Sequence, residues 1–262
     1  MSHDCVTLQV QDAIAHVQLN RPDKHNALNM HMFNSIDKTI KHLAKRKDVR
    51  VVIVSGQGQS FCSGLDVKSV MSSAPNALKL LFKWLPGNAN LAQRVSVGWR
   101  RLKVPVIMVL HGKCWGGGMQ IALGGDYRIA APDTSLSIME AKWGLIPDMG
   151  GTPGLRACVT SDHAIRLATT AEIVTAQQAL SYNLISQVSE KPIDAAYSLA
   201  KQLVERSPDT NATVKQMYNR VWVKEERRIL AKESLNQIRM IMGKNQKIAV
   251  KREMTGSDIP YR

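Results

Sequence analysis

Two carboxylates in this sequence could do acid–base chemistry. Glu140 and Asp148 lie in the segment Met139-Glu140-Ala141-Lys142-Trp143-Gly144-Leu145-Ile146-Pro147-Asp148-Met149-Gly150-Gly151-Thr152, set among apolar neighbours. A carboxyl in such surroundings holds its proton to higher pH and can then serve as acid or base near neutrality. Each also has an ordinary structural reading: a salt bridge from Glu140 to a nearby lysine, a turn or helix cap by Asp148 ahead of Gly150. Taken alone, those readings are the better ones.

Two further clusters are rich in small residues. One is Ser60-Phe61-Cys62-Ser63-Gly64-Leu65-Asp66; the other is His111-Gly112-Lys113-Cys114-Trp115-Gly116-Gly117-Gly118. Glycines at strand ends let backbone N–H groups approach an oxygen closely, and a following helix N-terminus adds partial positive charge. Neither cluster has the spacing of a nucleotide-phosphate loop, and the chain has no GxSxG nucleophile elbow. Two separate loops could instead give one N–H each to a single developing oxyanion. A lone GGG would be a tight turn and nothing more; the rest of the chain argues otherwise.

The elements that must position them alternate. Val6–Val10 and Ala13–Leu19 read as a hairpin turning at Gln11-Asp12, and Met30–Arg46 carries Met32, Ile36, Ile40 and Leu43 at helical spacing. Val49–Ser55 and Val104–Leu110 are almost wholly apolar and β-branched, the pattern of strands buried on both faces. The first small-residue cluster follows the first of these strands and the second follows the other. Ile121–Leu123 is expected on a helix, and Tyr127–Ala130 as a strand. Such alternation predicts a layered α/β domain with a partly parallel sheet.

From about Ile193 the strand signal ends. Helices are expected over Ala195–Arg206, Ala212–Tyr218 and Val223–Met242, the last with Val223, Leu230, Leu235 and Ile238 among many charges. Two units follow: an α/β core over 1–195 and a helical region over 196–262.

Composition bounds the rest. The chain has 262 residues, 44% hydrophobic and 21% charged, which suits one large folded domain. Lys and Arg number 35 against 21 Asp and Glu, a formal charge of +14 that favours a polyanionic partner without choosing among nucleic acid, membrane and phosphorylated small molecule. Residues 220–253 hold ten Lys/Arg against four Glu, which reads as a solvated helix face or a subunit interface. Only 5% of residues are aromatic, which counts against base stacking or sugar binding. No apolar run approaches the ~20 residues of a membrane span. The start of the chain has no signal or transit pattern. Cys5, Cys62, Cys114 and Cys158 are scattered without a CxxC pair, so reduced thiols in a cytoplasmic protein are expected, with no metal site.

Together the clusters resemble the crotonase (enoyl-CoA hydratase/isomerase) superfamily. Leu19-Asn20-Arg21-Pro22-Asp23-Lys24-His25-Asn26-Ala27-Leu28 is similar to its N-terminal NRP…NAL segment, and Phe61 through Lys68 to its FxxGxDxK loop. Gly116-Gly117-Gly118-Met119-Gln120 with Asp126 resembles its GGG turn and helix, and Glu140 through Thr152 its ExxxGxxP…GGT segment. The tail, from Ser234-Leu235-Asn236 to Lys251-Arg252-Glu253, resembles its closing helices. The resemblance implies an α/β crotonase-like fold of stacked ββα turns with a C-terminal helical trimerisation region, and a homotrimer or dimer of trimers. It implies an acyl-CoA thioester as substrate and no further cofactor.

By motif match, the N–H groups of Leu65 and Gly117 would form an oxyanion hole on the thioester carbonyl, each donor worth about 3 kcal/mol of barrier. Lys24, His25 and Ala27 match the region that contacts the CoA adenine, Lys68 is placed to meet a CoA phosphate, and Ser63, Gly64, Asp66 and Gly116 line the same loops. Hydratases of this family carry glutamates at the positions of both Gln120 and Glu140. Here the first is an amide, which cannot give or take a proton near neutral pH. Asp148 matches an aspartate of the dienoyl-CoA isomerase branch. The resemblance thus implies a proton shuttle between carbons, with Glu140 as principal base and acid, Asp148 as second carboxylate and Gln120 beside them. The alternatives are a hydratase in which Gln120 orients water, another crotonase chemistry such as thioester hydrolysis or decarboxylation, and, from another class, a basic RNA-binding protein. The scarcity of aromatics and the absence of an RRM, KH or helix-turn-helix pattern count against nucleic acid.

Overall fold

The chain was described from a computed structural model covering residues 5–71, 74–221, 226–257 and 259. Val223 and the first four residues lie outside the described residues.

The chain opens with β1 (Val6–Gln11) and β2 (Ile14–Leu19), antiparallel, with Val6 opposite Leu19. Their turn falls at Asp12-Ala13, one residue beyond the expected pair. Both residues take positive φ (51° and 62°), the geometry that matches the twist of a two-residue hairpin. Then follow α1 (Met30–Leu43), β3 (Val51–Gly56), α2 (Val67–Met71), α3 (Ala74–Leu81), α4 (Leu91–Arg101) and β4 (Val106–Leu110). The middle of the chain gives β5 (Lys113–Trp115), α5 (Gly117–Ala122), β6 (Tyr127–Ala130), β7 (Ser135–Ser137), α6 (Thr152–Cys158), α7 (Ser161–Thr170), β8 (Val174–Thr175), α8 (Ala176–Ser181) and β9 (Gln187–Val188). The closing helices are α9 (Pro192–Val204), α10 (Pro208–Val221), α11 (Glu226–Met242) and α12 (Lys244–Thr255).

The large sheet has the order β1-β2-β3-β4-β6-β9, and every pair after the first is parallel. A smaller sheet, β5-β7-β8, lies beside it. Single bridges from Leu28 to Leu65 and from Cys62 to Cys114 continue the ladder next to β5. Each turn of chain thus places one strand in the large sheet, a short extended piece in the small ladder, and then a helix. This is the expected stack of ββα turns.

The apolar runs are explained by burial on both sides. Val52, Val54, Met108 and Leu110 face a core closed by α1 and α4, while Ile53, Ile107, Val109 and Ile129 face α9 across Ala196 and Ala200. The two alanines let α9 lie close to the strands. The expected boundary at 195/196 falls inside this one helix. Among the described residues no helix is long and apolar enough to cross a membrane.

The terminal helices are tied to the core by polar contacts. Lys215 of α10 is buried; its Nζ meets Asp126 Oδ2 at 2.8 Å and donates to the carbonyls of Trp99 and Val104. The same Asp126 oxygen accepts the N–H of Val106 at 2.8 Å. The helix α11 turns a partly polar face inward. Leu230 faces the core, but Leu235 and Ile238 point to solvent, and the inward positions at the matching spacing are Glu233 and Gln237. Polar partners in the core, described below, outweigh the apolar pattern there.

Removing one member of a buried ion pair strands the other. Lys215→Met is therefore expected to lower unfolding free energy by about 3 kcal/mol, measured by urea denaturation, and a loss within about 0.5 kcal/mol would contradict this account of how α10 is held.

Candidate active site

The two small-residue clusters meet. Gly64 has φ +96°, and a Cβ built on it would sit 2.9 Å from the Trp115 carbonyl oxygen and 3.5 Å from the Gly117 nitrogen. No side chain fits there, and the backbone conformation itself favours glycine. Leu65 follows on the bridge to Leu28: the Leu28 N–H donates to the Gly64 carbonyl at 2.8 Å, and the Asp66 N–H donates to the Leu28 carbonyl at 3.0 Å. These bonds pin both flanks of Leu65. Among the described residues the N–H of Leu65 and that of Gly117 meet no acceptor. The first small-residue turn therefore brings its N–H beside the start of α5.

The third cluster closes on the same place. Gly116, at φ +50°, would put a Cβ 3.6 Å from Glu140 Oε1. Glu140 opens a short 3-10 turn, Glu140–Trp143, after β7. It makes no ion pair among the described residues. Its Oε1 instead accepts the Nε2–H of Gln120 at 2.6 Å, while Oε2 is shielded from solvent and meets no donor.

Gln120, fully buried on α5, is bonded at both ends. Its Oε1 accepts the N–H of Met149 at 2.8 Å and of Gly151 at 3.2 Å. Those two donors fix which way the amide points, so its nitrogen must face Glu140. Burial pushes the Glu140 carboxyl above its ordinary pKa, with the Gln120 bond opposing the shift and the nearby Glu233 charge adding to it.

Asp148 lies between Ile146 and the Met149–Gly151 backbone that Gln120 holds. Burial raises its pKa to about 7, and the charges of Glu140 and Glu233 push in the same direction, against the weaker pull of Lys83. Neither cap nor salt bridge accounts for these two acids: Gly151 precedes α6 without a side-chain cap.

Glu233 is the residue that sequence reading missed. It is buried on α11; its Oε2 accepts the N–H of Gly150 and the Nε2–H of Gln93, both at 3.1 Å. Gln237, one turn on, accepts the N–H of Ile146 at 3.2 Å. The available signal was the spacing Leu230, Glu233, Gln237, which places a carboxylate and an amide on one helical face with a leucine.

The residues matched to coenzyme A binding form a neighbouring loop pair. Lys24 is exposed at the end of a 3-10 turn, Pro22–Lys24, and the Ser63 N–H donates to the His25 carbonyl at 2.9 Å, which joins the 24–27 and 63–66 segments. His25 pairs its Nδ1 with the Ser60 hydroxyl at 3.0 Å. The Ala27 carbonyl accepts from Arg21 at 3.0 Å. Asp66 is committed to the scaffold: Arg21 bridges to it at 2.8 Å, which holds its carboxyl below the ordinary range, and its Oδ1 accepts the Ser69 N–H. Lys68 is exposed on α2. A cavity of about 450 Å³, bounded by Arg100, Asp126, Lys215 and Tyr218 among others, lies elsewhere, and none of the sequence-predicted site residues lines it.

Known proteins place this chain in a family. Residues 9–254 match the enoyl-CoA hydratase/isomerase family model. The mitochondrial Delta(3,5)-Delta(2,4)-dienoyl-CoA isomerase of Mus musculus is 30% identical over 79% of this chain; the chain spans 66% of that relative's length. The (E)-benzylidenesuccinyl-CoA hydratase of Thauera aromatica is 29% identical over 80% of each chain. In fold, the chain is similar to an enoyl-CoA hydratase from Mycobacterium avium subsp. paratuberculosis K-10, with a TM-score of 0.83 at 22% identity, covering 96% of this chain and 99% of that one. With its residues 9–254 matched to that model, the chain belongs to the enoyl-CoA hydratase/isomerase family.

Proposed function

We propose that this protein isomerises the double bond of an enoyl-CoA or dienoyl-CoA thioester. The substrate carbonyl would accept hydrogen bonds from the N–H groups of Leu65 and Gly117, donors whose stabilisation grows as the oxygen takes enolate charge. That stabilisation makes the C2 proton removable by Glu140. Asp148, holding a proton, would deliver it further along the conjugated enolate, at C4 of a 3-enoyl chain or C6 of a 3,5-dienoyl chain. One proton leaves, one arrives, and the double bond moves into conjugation with the thioester. The coenzyme A is part of the substrate, and the reaction needs no other cofactor. Lys24, His25, Ala27, Ser63, Gly64, Gly116 and Lys68 line its entry, while Asp66 shapes the loop through Arg21.

One observation carries this choice over hydration: the Gln120 oxygen is already occupied by two backbone N–H groups. It has no acceptor to offer a water, and its nitrogen is turned to Glu140. The remaining acid, Asp148, is sheltered near the proton-donating range. The exposed apolar residues of α11, Leu235, Ile238 and Met242, suit contact between copies in a trimer or dimer of trimers. Four free cysteines fit a reducing, cytoplasmic setting.

Purified protein assayed with 3-enoyl-, 3,5-dienoyl- and 2-enoyl-CoA thioesters is expected to form conjugated isomers faster than hydrated product. Glu140→Gln and Asp148→Asn should each lower kcat/KM by about 10²–10⁴-fold. Rapid hydration of 2-enoyl-CoA by an Asp148→Asn variant of undiminished activity would sink the proposal.

The pH dependence has a definite sign. Asp148 must be protonated, so kcat/KM should decline as pH rises through about 7. Glu140 must be ionised, so activity should also decline toward low pH, from a point above the ordinary glutamate range. A profile flat from about pH 6 to 9, measured in the wild type, would contradict these roles.

A further inference from the structure

The isomerase reading leaves a third acid unexplained. Glu233 comes from α11, more than 80 residues beyond Asp148 in sequence, yet the groups bonded to it, the Gly150 N–H and the side chains of Gln93 and Thr152, border the site. Gly150 lies two residues after Asp148, and Gln93 sits on α4, where it also forms a capping box with Asn90. From the same face of α11, Gln237 takes the N–H of Ile146, two residues before Asp148. The Leu230 carbonyl, on that face too, accepts from Gln93 at 3.2 Å and from Lys83 Nζ at 2.7 Å. The backbone on either side of Asp148 is therefore gripped by two side chains of one C-terminal helix.

An ordinary helix would bury leucines there. This one turns Leu235 and Ile238 outward and buries a glutamate without a cation bonded to it among the described residues. Burying a carboxylate is costly, and a neutral side chain could accept the Gly150 N–H equally well.

We propose that Glu233 is a positioning residue for Asp148, fixing the place of the second carboxylate from the C-terminal helix and setting a like charge beside it. This rests on the isomerase reading above. The charged groups facing Asp148 are Glu140 from the 3-10 turn, Glu233 from α11 and Lys83 from the segment after α3. Like charge on Glu233 favours the protonated, donating form of Asp148, and Lys83 opposes it. Docking of α11 thus completes the proton donor as well as covering it.

The test measures pH profiles of kcat/KM for the full chain with a 3-enoyl- or 3,5-dienoyl-CoA substrate. Glu233→Gln keeps an acceptor for Gly150 but removes the charge. Its alkaline limb is expected to move to lower pH by on the order of one unit, with KM changed less than about twofold. In an Asp148→Asn background the alkaline limb should be absent, and Glu233→Gln should move only the acid limb set by Glu140, toward lower pH. Gln237→Ala, which frees the Ile146 N–H without altering charge, should lower kcat by about tenfold with the limb unmoved.

An unmoved limb in Glu233→Gln, while Asp148→Asn abolishes it, would overturn the proposal and leave the isomerase reading standing. A limb that persists in Asp148→Asn would defeat the isomerase assignment itself. If Glu233→Gln fails to fold, Glu233→Asp decides, since it keeps the charge but draws the acceptor back from the Gly150 N–H: an unchanged kcat would overturn the positioning role.

Discussion

Gln120 is sealed from solvent, its oxygen taken by the backbone of Met149 and Gly151 and its nitrogen given to Glu140. An amide can be bonded in this way in one orientation only, because oxygen accepts and nitrogen donates. Three stretches of chain are referenced to that side chain: α5, which starts at the proposed oxyanion donor Gly117; the turn that carries Glu140; and the 148–151 segment that carries Asp148. A glutamate at position 120 would still accept from the two N–H groups. It would then face Glu140 oxygen to oxygen, and the two acids would have to share a proton. The amide holds Glu140 in place without setting a second carboxylate against it.

The arrangement works against stability, since Glu140, Asp148 and Glu233 all have carboxyls pushed up above all by burial. Such a cluster persists only when the surrounding structure over-determines it. The continuous core beneath α1 and α4 supplies that excess, with fully buried Phe33, Phe61, Trp99 and Met119 among its largest side chains. The C-terminal helices add to it: Lys215 anchors α10 under the sheet, α11 grips the 146–150 segment, and α12 lies against the Glu140–Trp143 turn, where Gln246 approaches Gly144.

Much of this is legible in the residues themselves. The apolar strands Val51–Gly56 and Val106–Leu110 announce themselves because both faces are buried, and Tyr127–Ala130 falls where expected. Glu140 and Asp148 stand out as acids in apolar company. The short strands β5, β7, β8 and β9, of two or three residues each, do not, because tertiary pairing and not local pattern makes them strands. Asp66 matches a motif, and only the Arg21 contact shows that its carboxylate serves the loop. Glu233 is hidden by the apolar pattern of α11: Leu235 and Ile238 suggest an inward apolar face, whereas the inward face is chosen by backbone N–H groups that need acceptors. Hydrophobic periodicity cannot report a face selected by hydrogen bonding.

The central claim is that a proton leaves C2 and another arrives further along the acyl chain, with no water added. Turnover of a 3-enoyl- or 3,5-dienoyl-CoA in deuterated water, followed by NMR of the product, tests it directly. The account predicts a conjugated 2-enoyl or 2,4-dienoyl thioester carrying deuterium at the distal carbon, C4 or C6. A 3-hydroxyacyl-CoA as the main product, or a conjugated product without deuterium at that carbon under conditions where Asp148 exchanges its proton with solvent, would contradict it.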